Sequence, residues 1–261
     1  MDFITFGAEK LQTFLLVSFR AAGLFLISPV IGHVSIPPLI KAALAVILAL
    51  LLIPAASQTG LPEINSLWVL GLLAAKEMLV GFIIGLFFAV LFVAVRMAGN
   101  IVGYQIGLII ANVLDPDSHS EISVVGEFWY VISILIFLAI EGHHALISAF
   151  GDSYKIVPVG TFNFTSSAAD ILIRFSALAF VIAIKIAAPV IVTLFLTEVA
   201  LGVVARTLPQ MNIFIVGIPL KIVVGFLILA AALPVFRFMV EKTVHLIDGD
   251  VTTMLSCIGT T

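Results

Sequence analysis

LWVLGLLAAKEMLVGFIIGLFFAVLFVAV, residues 67–95, decides the fold class. Apart from the adjacent Lys76 and Glu77 it carries no ionisable residue. An apolar run of ~18 residues or more reads as a membrane-spanning helix. At 1.5 Å rise per residue this one would reach roughly 43 Å, against a hydrocarbon core of ~30 Å. A helix of that length has to tilt, break or leave the bilayer.

Five further runs of the same kind flank it, at about Leu11–Ile31, Leu39–Ala56, Phe128–Phe150, Ile171–Val204 and Ile213–Phe236. The expected fold is an all-α integral membrane protein of about six long, kinked hydrophobic helices arranged as helical hairpins. Pro189 divides the fifth run, and Pro219 and Pro234 lie inside the sixth, where each removes a backbone donor and favours a bend. Composition agrees: 62% of residues are hydrophobic, 10% are charged, 21 are Phe, and the mean hydropathy is +1.29. The polar stretches, about Ser57–Ser66 and Gly151–Asp170, are too short to bury a soluble core of their own. A net charge of −3 with dispersed Lys and Arg gives no footprint for nucleic acid. The single cysteine, Cys257, leaves no internal disulfide to form. Met1–Lys10 lacks the basic region of a signal peptide, so the first run is expected to be retained.

The anomaly is charge inside these runs: Arg20, Lys76, Glu77, Glu141, Lys185, Glu198 and Lys221. A charge at the bilayer centre costs at least ~2.5 kcal/mol on insertion scales, so such groups face protein or a water-filled path. They fit contacts that hold subunits in register. They also fit a secondary transporter, in which the same charges form a proton or substrate path. Loop charge does not orient the chain, because Lys10, Lys155, Arg237 and Lys242 on one side balance Lys41, Arg96, Arg206 and Lys221 on the other.

Gly99, Gly103 and Gly107, and upstream Gly81 and Gly85, recur every four residues and so offer helix faces without side chains, suited to close helix packing. The segment GLIIANVLDPDSHSEIS (107–123) is apolar to Leu114, then turns acidic and turn-forming at Asp115-Pro116. Apolar side chains at the head of a loop need cover, and a pore constriction that blocks ions by dewetting is one place to find it. Glu141-Gly142-His143-His144 invites a metal or membrane-enzyme reading, but the spacing favours a helix end. After Pro234, residues Phe236, Val240, Val244, Ile247, Val251, Leu255 and Ile258 form an apolar stripe, interrupted if Gly249 breaks the helix. Such a helix suits a membrane surface or another subunit equally. There is no nucleotide-binding loop, dinucleotide fingerprint or nucleophile elbow, so no enzymatic chemistry and no cofactor is expected.

Ala205-Arg206-Thr207-Leu208-Pro209-Gln210-Met211-Asn212-Ile213-Phe214, with Gly217-Ile218-Pro219-Leu220-Lys221 after it, resembles the signature of the FliR/SpaR family of flagellar and type III secretion export-gate proteins. Other landmarks follow in the family's order. They are Arg20-Ala21-Ala22-Gly23 before Pro29, the glycine row leading to Asp115-Pro116, and Glu141 to His144 before the Ser153–Pro158 loop. Glu141 departs from the Asn or Asp more usual there.

The resemblance implies a core subunit of the flagellar export gate in the bacterial inner membrane, within the basal body. It would assemble with FliP and FliQ, beside FlhB and FlhA, as a conduit for unfolded flagellar proteins. It implies a FliP-like part over 1–170 and a FliQ-like bent hairpin over 171–261, wound into a helical assembly raised largely out of the membrane plane. Ile109, Ile110, Val113 and Leu114, ahead of Asp115 and Pro116, match the family's plug, in a loop over about 106–123. Arg206, Pro209, Gln210 and Asn212 match the turn of the hairpin, at the end facing the cytosolic entrance.

Overall fold

The computed structural model describes residues 3–33, 35–56, 64, 66–107, 123–208, 210 and 212–259. They form helices α1 (Phe3–Ile27), α2 (Pro38–Ala56), α3 (Leu67–Ile106), α4 (Val124–Ala139), α5 (Gly142–Ile156), α6 (Ser166–Thr207) and α7 (Ile213–Gly259), with no strand among the described residues. Five of these are long and apolar enough to cross a membrane, or six if the bent pair α4 and α5 is one span. The chain is an all-α integral membrane protein.

Helix α3 continues past Val95 because its buried stripe does: Leu91, Val95, Ala98, Val102 and Ile106 are all sealed, at three- and four-residue spacing. It stops where Gly107 takes a positive φ of 91° and donates its N–H to Tyr104 O at 3.1 Å. If straight, α3, α6 and α7 would measure roughly 60, 63 and 70 Å, about twice the hydrocarbon thickness. Helices α6 and α7 run unbroken through Pro189, Pro219 and Pro234.

Two expectations are corrected. The run Phe128–Phe150 is not one helix: α4 ends at Ala139 and α5 begins at Gly142, with a break at Ile140 and Glu141. Glu141 sits in the left-handed region at φ 59°, which no helix interior accommodates, and α5 restarts when His144 N–H bonds Glu141 O at 2.8 Å. The C-terminal stripe lies on neither a membrane surface nor a free docking face. All seven of its residues, Phe236 to Ile258, are buried within the chain, and α7 passes Gly249 without a break.

The contacts divide into two compact units. The first comprises Met1–Val90, Glu141–Ser176 and Val244–Thr261. Here the upstream glycines set the packing: a Cβ on Gly23 would occupy the Met78 carbonyl, and one on Gly81 the Arg20 carbonyl, so α1 and α3 touch backbone to backbone. Helix α2 packs on α1 and α5. Phe87 stacks on Phe175 at 4.1 Å. The chain end is tied in by Asn163 N–H to Ile258 O at 3.1 Å and by Thr165 Oγ1 to Cys257 O at 3.2 Å.

The second unit comprises Leu91–Ile140 and Ala177–Thr243. Gly99 meets Gly126 and Gly103 meets Ser123, which brings α4 onto the last turns of α3. Ser123 caps α4 by accepting the Gly126 N–H at 3.2 Å. Phe92 meets Tyr130 and Phe137 edge-on at 6.0 and 5.4 Å, and Trp129 stacks on Phe236 at 5.1 Å.

Candidate functional site

The first unit is built around a charged pair that sequence spacing does not link. Arg20 of α1 donates from Nε to Glu77 Oε2 of α3 at 2.6 Å, and both side chains are 0% exposed. The other donors of the guanidinium reach Ser153 Oγ at 3.0 Å and the Val157 carbonyl at 3.1 Å. Its flat face lies 4.2 Å from the centre of the Tyr154 ring. The second carboxylate oxygen, Oε1, accepts the Gly160 N–H at 2.8 Å. Gly160 can present that N–H because its φ of 85° suits glycine. Ser153 in turn donates to Phe150 O at 2.6 Å.

Two helices, the end of α5 and the 157–160 turn are thus pinned to one ion pair. Both charges are neutralised and hydrogen-bonded out of solvent, which is how a buried pair survives. The arrangement clamps helices and offers no exposed site to a proton. Arg20 and Glu77 could be found from sequence as charges in apolar runs. Ser153, Tyr154, Val157 and Gly160 could not, since they lie more than 80 residues from the charge they contact.

The other intramembrane charges are placed differently. Glu198 of α6 and Lys221 of α7 bond to each other, and both remain partly exposed. They stand 9 residues before Thr207 and 8 after Ile213, so the pair closes an antiparallel hairpin around the 208–212 turn. At that turn Arg206 is exposed, Leu208 N–H bonds Val204 O at 2.8 Å, and Asn212 O accepts from Ile215 and Val216. Gln210 is exposed in a turn, and Pro209 lies outside the described residues. Glu141 is exposed at the α4–α5 break, with His144 Nδ1 3.3 Å from Oε2, away from the buried cations. Lys76 is half-buried beside Glu77, and Lys185 is exposed midway along α6.

In the second unit, Lys185 and, before and beyond it, Val181, Val192, Leu196, Val199 and Val203 fall on one exposed face of α6; Arg174, in the first unit, is exposed as well. Pro189 has no N–H to complete the usual helical bond to the Lys185 carbonyl, and the Lys185 side chain is exposed among these apolar neighbours. The residues matched to the plug, Ile109, Ile110, Val113, Leu114, Asp115 and Pro116, lie outside the described residues.

The sequence profile of bacterial export proteins, family 1, matches residues 11–247. The flagellar biosynthetic protein FliR of Bacillus subtilis (strain 168) is 34% identical over 255 residues, 96% of this chain and 97% of that protein. FliR of Escherichia coli (strain K12) is 32% identical over 82% of both chains, and FliR of Aquifex aeolicus (strain VF5) is 32% identical over 93% of both. The matched span takes in the Arg20–Glu77 clamp, the α4–α5 break and the α6–α7 hairpin. The chain belongs to bacterial export proteins, family 1, and within it to the FliR family.

Proposed function

We propose that this chain is a core subunit of the flagellar export apparatus and, more finely, that it forms with FliP-like and FliQ-like proteins a gated conduit for unfolded flagellar proteins, beside FlhB and FlhA in the bacterial inner membrane. The observation that carries this reading, together with near full-length similarity to proteins named flagellar biosynthetic protein FliR, is the exposed α6 face. Lys185 stands there among Val181, Val192 and Leu196. Lipid would leave such a cation costly, whereas a neighbouring subunit can neutralise it. Residues 1–170 are read as the FliP-like part and 171–261 as the FliQ-like hairpin. Ile109, Ile110, Val113 and Leu114 would close the pore by dewetting until cargo displaces them. Energy for transport would come from partner proteins and the proton motive force.

The transporter alternative is disfavoured by how the charges are used. Arg20 and Glu77 are sealed together, and Glu198 and Lys221 tie one hairpin, so these four serve helix contacts before any path. An enzymatic role has no supporting geometry at Glu141 and His144, which lie on the surface. Purification of the tagged chain from cells expressing FliP-like and FliQ-like proteins tests the proposal. One large particle containing all three is expected, and Lys185→Glu should deplete it. Recovery of the chain alone under conditions that preserve its fold would overturn the reading.

A further inference from the structure

The last turns of α1 and the first turns of α2 enclose a groove of about 400 Å³, walled by Phe19, Phe25, Leu26, Ala45 and Met78, with Lys41 among its lining residues. Its size falls in the range of ligand pockets, and its walls are almost wholly apolar. Its position along the helices is informative. Helix α1 ends at Ile27 and α2 begins at Pro38, so the groove lies at the end of the two spans where the chain turns round. In a bilayer crossed by these two helices, their ends would stand where hydrocarbon gives way to headgroups. Helix α2 is the least buried of the spans, and Leu26 and Leu39 are exposed on the helices that border the groove.

Lys41 supplies the second observation. Its ammonium has three donors, and one is held by the Gly32 carbonyl at 2.8 Å in the α1–α2 connection. No carboxylate pairs with it among the described residues. A half-buried cation fixed on the polar side of an apolar groove has the form of an amphiphile's complement. The groove takes hydrocarbon, and the free donors take an anion at headgroup depth. Free phosphate would leave the apolar walls unfilled, so a lipid matches both halves of the site.

We propose that the α1–α2 groove binds one anionic phospholipid, an acyl chain lying against Phe19, Phe25, Ala45 and Met78 and the phosphate accepting from Lys41. A lipid held in this way stays with the chain when other faces pack against subunits, and it covers apolar surface that the fold itself leaves open.

Native mass spectrometry of the full chain tests this, after purification in mild detergent and removal of co-purified lipid. The probes are phosphatidylglycerol and phosphatidylcholine with identical acyl chains. A one-to-one adduct is expected, with phosphatidylglycerol favoured about fivefold, the worth of one lysine beside an anionic headgroup. Lys41→Gln should erase the preference while keeping weak uptake of both lipids, and Lys41→Arg should retain it. Ala42→Trp, at an exposed position lining the groove, should reduce both adducts. Leu26→Trp offers the same block from α1, and circular dichroism with gel filtration establishes that each variant is folded. Equal uptake of the two lipids by the parent, or a preference that survives Lys41→Gln, overturns the headgroup contact. Absence of any one-to-one adduct, or cross-links from Leu26→Cys reaching only a partner protein in cell membranes, overturns the lipid itself.

Discussion

Arg20 Nε lies 2.6 Å from Glu77 Oε2, and neither side chain is exposed to solvent. Two charges that would each be expensive in lipid are taken out of it together, and the same contact fixes the register of α1 against α3. Glycine makes the approach possible, since Gly81 stands against the Arg20 carbonyl one turn from Glu77. Small residues and buried charge are therefore two parts of one device.

Removing either charge should cost far more than removing both. Arg20→Leu or Glu77→Leu leaves a buried ion without its partner, a loss of about 3–5 kcal/mol. The double Leu variant should recover much of that difference. Thermal unfolding in detergent checks it; double-variant losses equal to the sum of the singles would remove the coupling.

Gly81→Ala should destabilise by about 1–3 kcal/mol, because a methyl there meets backbone, which cannot rotate away. Gly202→Ala is the control. It lies in α6 with nothing within 4 Å of the added carbon, so it should be neutral or stabilising by up to about 1 kcal/mol. Midpoints of denaturation for the two variants should move in opposite directions or differ plainly in size.

The sequence readings that rest on local period hold at the level of elements. The stripe Phe236 to Ile258 is buried at every position, because three- and four-residue spacing is set within one helix. What failed to show was long-range or conformational. The break at Glu141 sits in an apolar run that scores as a continuous span, and only the Glu-Gly pair hints at it. The partners of Arg20 are hidden for another reason: Ser153 and Val157 are ordinary residues whose role comes from the fold that brings them near. Lys185 was legible as a charge in the wrong place, and the structure leaves it exposed on α6.

Glu141 is in the left-handed region and carries a Cβ, whose absence is what makes glycine tolerant there. Glu141→Gly should hold stability within about 1 kcal/mol of the parent, since relief of strain offsets the greater freedom of the unfolded chain. Glu141→Val, β-branched at a positive φ, should lower it by about 1–3 kcal/mol. Equal melting temperatures for the two would mean that the break is held by other residues.

Glu198→Lys sets two cations against each other near the turn of the α6–α7 hairpin and should deplete the assembled particle. The exchange Glu198→Lys with Lys221→Glu restores opposite charges at the same two positions and should recover most of it. Yields of the co-purified complex read this directly. Failure of the exchange, with the single variant defective, would show that Glu198 or Lys221 also meets a neighbour for which its sign matters.

The plug proposal has its own test because it concerns residues 109–114 and not the helices around them. Ile110 and Val113 would seal by excluding water, so the seal depends on their apolar volume. Replacing both with Gly removes that volume and leaves Asp115-Pro116 in place. Ion leak through the assembled complex in planar bilayers or in growing cells should then rise well above the parent, with complex yield unchanged. Ile110→Val with Val113→Ile keeps the apolar volume and should stay tight. If the Gly pair assembles normally and conducts no more than the parent, these two side chains do not close the path, and closure must lie with other residues of the complex.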